Sequence, residues 1–140
     1  MDPPEGENAA VLAVYGAMTA GEERSYAAAA LDPELEKYAT HTALADIKST
    51  LFWYEQRGTV MKGAPVHSPK TDSLDSAGDP LRAAITDCVG SSAYDKVDKA
   101  SGNPVAAPSG PRRHVTSTAQ RTKAGPWLVY TSTIERDRTC

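Results

Sequence analysis

Among the side chains of this 140-residue sequence able to move a proton, five are candidates for a pocket: Tyr15, Tyr54, Asp87, His114 and Tyr130. Asp87 stands out, because between Leu81 and Val89 the residues Leu81, Ala83, Ile85, Asp87 and Val89 fall on one face of a period-two strand. The carboxylate is therefore in phase with apolar neighbours. Burial there is costly unless the charge is paired, and a backbone or arginine partner is favoured over a role as general base. His114 follows Arg112 and Arg113 at a strand start, where a solvated basic edge is expected. Tyr15 and Tyr54 lie on apolar helical stripes, the usual place for a core tyrosine whose hydroxyl reaches a polar partner. His41 and His67 lack a third ligand at metal-site spacing, so no metal is expected. No catalytic motif surrounds any of these residues, no catalytic residue is assigned, and nothing points to a cofactor.

The two cysteines, Cys88 and the last residue, Cys140, have neither zinc-site nor C-x-x-C spacing. Spacing alone leaves one disulfide and two free thiols as alternatives; a bridge would stabilise the fold by roughly 4 kcal/mol through loop closure. A net charge of -3 argues against nucleic acid as a partner, and the basic strip Arg112, Arg113, Arg121 and Lys123 reads as part of a mixed surface. With 40% hydrophobic and 24% charged residues the chain should fold as one domain, with few aromatics and a core built mainly of Ala, Val, Leu and Ile. No apolar run is long enough to span a bilayer as a helix.

Three helical segments come first. Val11, Val14, Tyr15 and Met18 line one face of a helix that continues, kinked or broken after Gly21, to about Ala30. Asp32-Pro33-Glu34 opens a short helix, and Thr40 or Thr42 caps a longer one carrying Leu44, Ile47, Leu51 and Tyr54, stopped by Arg57 and Gly58. Phe52 and Trp53 are adjacent on it, and Trp53 is expected partly buried under a sheet. Extended segments follow: Thr59 to Met61 with Val66-His67, interrupted by proline; Leu81 to Val89; Tyr94 to Val97; and a hairpin from His114 to Lys123, turned at Ala124-Gly125-Pro126 into Trp127 to Ile134. Ser73 to Pro80 and Asp98 to Pro111 read as turn and loop. The order of helices and then four or five antiparallel strands predicts an α+β fold with the helices on one face of the sheet.

Glu55-Gln56-Arg57-Gly58, Thr59-Val60-Met61-Lys62-Gly63-Ala64-Pro65, Ala84-Ile85-Thr86-Asp87-Cys88, Gly125-Pro126-Trp127-Leu128-Val129 and Thr139-Cys140, in that order, resemble the nuclear transport factor 2-like (SnoaL-like) superfamily. More narrowly the chain is similar to small actinobacterial extracytoplasmic proteins, often lipoproteins or membrane-tethered. The resemblance implies a cone of N-terminal helices and a strongly curved antiparallel sheet over residues 8–140. It implies a Cys88–Cys140 disulfide and an extracytoplasmic place. It also implies that residues 1–7 are a flexible remnant of a tether, membrane contact being made only through an N-terminal anchor that has been removed.

Two functions follow as expectations. One is a non-catalytic domain that binds a protein partner or a second copy through the open sheet face, using Trp53, Trp127 or Tyr130. The other is a pocket for a small hydrophobic ligand inside the cone, as a binder or as a cyclase- or isomerase-like enzyme, with Tyr15, Tyr54, Asp87, His114 and Tyr130 as candidate lining.

Overall fold

The computed structural model describes residues 3–105, 110–121 and 125–140. Helix α1 (Pro3–Ala28) runs unbroken through Gly21 and is followed by a short 3-10 turn (Leu35–Lys37) and helix α2 (His41–Arg57). Gly21 serves packing and does not break the helix: a Cβ there would meet the side chain of Leu35, fully buried in the core, at 3.0 Å. The residues expected as a tether are, from Pro3 onward, the first turns of α1, and Glu7 is fixed there by bonds to Arg121 and Trp127. Asp32 ties the end of α1 to the 3-10 turn, pairing with Arg24 and accepting the Glu34 amide at 2.8 Å.

Thr40 is the N-cap of α2 without a side-chain cap bond; its amide instead donates to the Val129 carbonyl at 2.9 Å. Gly58 closes the helix in the left-handed conformation at φ 65, which glycine adopts without steric cost. Ala43, Ile47 and Leu51 form the buried stripe of α2, and Leu44 and Tyr54 pack against it partly covered.

Six strands follow: β1 (Thr59–Gly63), β2 (Pro69–Asp75), β3 (Leu81–Val89), β4 (Tyr94–Asp98), β5 (Arg113–Arg121) and β6 (Leu128–Thr139). They make a two-stranded sheet, β1-β4, and a four-stranded sheet in the order β2-β3-β5-β6, with every pairing antiparallel. An isolated bridge between Val66 and Gly90 links the β1–β2 connection to the end of β3. The α+β expectation holds. Of the turn expected from Ser73 to Pro80, residues 77–80 are a bend and Ser73 to Asp75 instead end β2, which lies at a sheet edge and carries mostly polar residues, so it lacks the apolar alternation that marks a strand. Ala124, expected in the last hairpin turn, with Lys123 of the basic strip, lies outside the described residues, as do residues 106–109 of the expected loop.

The core runs from Val11, Tyr15 and Met18 of α1 through Leu35, Ile47 and Leu51 to Ala83, Ile85, Ala119 and Val129 of the larger sheet. At the sheet's far end Cys88 and Cys140 form a disulfide with Cα atoms 5.9 Å apart. Among the described residues no helix is long and apolar enough to cross a membrane.

Candidate functional site

Asp87 is fully buried, as its phase in β3 requires, and three donors converge on it. The Tyr15 hydroxyl donates to Oδ2 at 2.7 Å, His67 Nδ1 lies 2.6 Å from the same oxygen, and the Ser68 amide donates to Oδ1 at 2.6 Å. His67 Nε2 continues the chain to Glu23 Oε2 at 3.3 Å. The partner of Asp87 is thus a histidine, a tyrosine and a backbone amide. With both oxygens engaged this carboxylate is a structural hub that staples α1, the β1–β2 connection and β3 together.

Charge follows geometry here. Burial pushes the Asp87 carboxyl upward, but bonds from His67, Tyr15 and Ser68 outweigh it and hold the group below the usual carboxylate range. His67 is raised to about 9 by its bonds to Asp87 and Glu23. At neutral pH His67 is therefore an imidazolium, bonded through Nδ1 to Asp87 and through Nε2 to Glu23.

Beside this hub a cavity of about 440 Å³ lies between α1, α2, the β1–β2 connection, β4, β5 and β6, whose Thr133, Ile134 and Arg136 are exposed. Tyr15, Glu22, Glu23, Tyr26, His67 and Tyr94 line it on one side, with Ile47 of α2 opposite and the exposed Arg136 at the rim. Glu22 differs from its neighbour Glu23, which reaches His67, because among the described residues no donor reaches it. Burial first, then the charge of Glu23, raise it to about 7 against the opposing pull of His67. The Tyr94 hydroxyl is buried without a hydrogen-bond partner. Among the described residues no three His, Cys, Asp or Glu side chains converge as a metal site.

Of the five candidates, the structure brings Tyr15 and Asp87 together and leaves the other three elsewhere. Tyr54 packs edge-on against Tyr26 with centroids 5.2 Å apart, under the Lys96 ammonium at 5.0 Å. Tyr130 stacks on the His41 ring at 4.4 Å. His114 stands opposite Cys88 in the ladder, one residue out of phase with the inward Asp87 and Val115. Its Nδ1 is buried and unpartnered, so the solvated edge expected for it is not what is found. Trp127 is buried with its indole N–H donating to Glu7 at 2.7 Å, which removes it from any docking face. Trp53 is 52% exposed beside Phe52 on the outer side of α2, with Arg57 over its ring, so it is not tucked under the sheet.

Glu22, Glu23, His67 and Tyr94 were not singled out as pocket residues by sequence reasoning. A signal existed for Glu22: Tyr15, Thr19, Glu22 and Tyr26 recur at helical spacing and continue the apolar stripe of Val11 and Met18 past Gly21. Expecting a break at Gly21 hid that phase.

The pH dependence of stability follows from these groups with opposite signs. His67, raised in the fold from an ordinary 6.5 to about 9, stabilises fully below 6.5 and loses that contribution as pH rises through 9. Glu22 is also raised in the fold, so its protonated form is favoured and ionisation costs stability progressively between 4.5 and about 7. Denaturant titrations should show stability falling from pH 5 to 9, with roughly 2–3 kcal/mol attributable to each group. Glu22→Gln should remove the first part of that fall, below about pH 7.5; an unchanged profile in this variant would contradict the assignment.

No family model matches this chain, and no curated protein is similar to it. Among solved structures it is similar to the crystal structure of the intermembrane space region of chloroplast protein ARC6, at 13% identity, TM-score 0.60 and 96% coverage of both chains. At that identity the likeness concerns the fold alone.

Proposed function

We propose that this chain is an extracytoplasmic, non-catalytic binding domain of the nuclear transport factor 2-like kind, tethered to a membrane in its native form, which holds a small molecule in the cavity between α1, α2 and the sheets. The observation that carries the reading is Glu22, a carboxylate in the cavity wall with no donor of its own, whose ionisation costs stability that a bound ligand would restore. The volume of about 440 Å³ is within the range of small-molecule sites. The Cys88–Cys140 bridge supports an oxidising compartment, and the likeness in fold to an intermembrane-space region agrees with it. Asp87, engaged by three donors, is not free to act as a base.

Thr50 lines the cavity from α2 and is half-buried, so Thr50→Trp should fill the space. With a panel of small ligands, chemical-shift changes should cluster on Tyr26, Ile47 and Tyr94 and vanish in this variant. Ligand binding that survives the filling would overturn the reading.

One observation favours a second reading: a carboxylate near 7 in a cavity is poised for general acid–base chemistry. In that isomerase- or cyclase-like form the acting acid is Glu22 and not Asp87. Mass spectrometry of a ligand recovered after incubation separates the two, since a binder returns it unchanged.

A further inference from the structure

We propose that the open edge of β6, where it fronts the cavity, receives an extended peptide segment of a partner protein as an added strand, apolar at one end and acidic at the other. The inference goes beyond the small-molecule reading, because it needs the edge at the cavity mouth and not the depth of the cavity. β6 is the last strand of the larger sheet, so one side of its backbone faces no strand. The chain itself shows that this side pairs. Val129 bridges to Ala39 in parallel, its amide donating to the Tyr38 carbonyl and its carbonyl accepting from the Thr40 amide, both at 2.9 Å. The chain then turns away into α2, and from Thr131 to Thr139 no backbone bond among the described residues reaches this side. Edges are commonly blunted by proline, charge or a covering segment. Thr131-Ser132-Thr133-Ile134 has neither proline nor charge, and Ile134 is 49% exposed.

The cavity meets that edge. Ser132, Thr133, Ile134 and Arg136 all line it, although Ser132 and Ile134 pair with the inward Ser117 and Val115 while Thr133 pairs with Thr116 of the opposite phase. A space lined by both phases of one strand touches the strand's edge. Asp46, Ser49 and Thr50 of α2 form the facing wall, so an added strand would find backbone partners on one side and a helix face on the other. A second copy's sheet edge would bring its own helices against that wall, whereas a lone segment carries only its side chains, the apolar ones entering beside Ile47, Val115 and Ile134. Charge sets the other end of the ligand. Arg113 pairs with Thr139, and the Cys140 amide donates to the Arg112 carbonyl, which gathers Arg112 and Arg113 with Arg136 and Arg138 at one end of the sheet. Among the described residues no carboxylate pairs with any of these four. Asp137 and Glu135 stand near them, Glu135 accepting the Thr116 hydroxyl, which leaves an excess of positive charge in a chain of net charge -3. Guanidinium groups favour carboxylates, so the segment runs from apolar beside Ile134 to acidic beside Arg138.

The test is calorimetry on the disulfide-bonded protein with short blocked peptides that alternate Leu or Val with Thr and carry acidic or basic residues at either end. An acidic member should bind in the micromolar range, about ten-fold or more tighter than its basic counterpart, with the gap closing as salt is raised. N-methylation of alternate peptide amides should abolish binding in one phase and leave it in the other, because only one phase of an added strand faces β6. The peptide should slow amide exchange across residues 131–136. Ile134→Lys puts a charge on an exposed edge position and should abolish binding with little change in melting temperature. Arg136→Ser with Arg138→Ser should erase the preference for the acidic member. Where a variant disturbs folding, the phase dependence of N-methylation on the unaltered protein decides. No binding by any peptide, or binding indifferent to that phase, overturns the added strand, as does a dimer that excludes the peptides and is lost in Ile134→Lys. Equal binding of acidic and basic members overturns the charge assignment. Small ligands that enter the cavity while peptides fail leave the small-molecule reading standing, and peptides that bind while every small ligand fails overturn that reading alone.

Discussion

Asp87→Ala should destabilise the fold by about 3–5 kcal/mol, the cost of removing one member of a buried charged network and stranding the rest. Three groups lose their acceptor at once: the Tyr15 hydroxyl, the Ser68 amide and His67 Nδ1. Tyr15 is 2% exposed, so water cannot easily replace what it loses. Asp87→Asn, nearly isosteric, keeps an acceptor for Ser68 but presents less charge to His67, and should cost less. Its spectroscopic signature is specific. Because the bond to Asp87 is the largest cause of the raised His67 value, imidazole titration followed by NMR in Asp87→Asn should move from about 9 back toward the ordinary 6.5. Unchanged His67 titration together with wild-type stability would refute the network. Asp87 itself, held below 3.8, stabilises above that pH and ceases to do so as pH falls through its depressed value.

Removing the Cys88–Cys140 bridge should have an effect of similar size. The two cysteines are 52 residues apart in sequence, and freeing a loop of that length restores unfolded-state entropy worth about 4 kcal/mol. For a domain of this size the paired change Cys88→Ser with Cys140→Ser should lower the melting temperature by roughly 10 °C or more. The damage should be local as well as global. Cys140 follows β6, and its amide donates to the Arg112 carbonyl at 3.3 Å, so amide exchange should accelerate first in the last residues of β6 and at the start of β5. The cavity lies toward α1 and α2, so ligand binding measured well below the new melting temperature should persist. Equal melting temperatures for oxidised and reduced wild-type protein would contradict the entropic contribution.

These two changes act on opposite halves of what makes the site. The network around Asp87 holds α1 against β3 and thereby fixes Tyr15 and Glu23 in the cavity wall. The bridge secures the sheet edge that bears Arg136 and Ile134 at the rim. Glu22 contributes to neither, and its ionisation works against stability. A group that costs the fold and faces empty space is where function is to be sought.

Local physics was legible in the sequence. The stripes Val11 to Met18 and Ile47 to Leu51, the left-handed stop at Gly58 and the alternation of Leu81 to Val89 each depend on neighbours within a few residues, and each stands in the structure as its spacing dictates. The inward phase of Asp87 belongs with them, because parity along a strand is a local property. What pairs with Asp87 was not legible: His67 is 20 residues away and Tyr15 is 72, and only the packing of α1 across β3 makes them neighbours. The edge strand β2 escaped notice since its polar face carries no period, and Trp53 was misplaced because Phe52 and Trp53 both lie off the buried stripe Ala43, Ile47 and Leu51, where large apolar residues are not expected. Above all, a carboxylate becomes unusual only when tertiary structure covers part of it and supplies no donor. Glu22 reads as an ordinary helix residue until α2, β4 and the β1–β2 connection close around it.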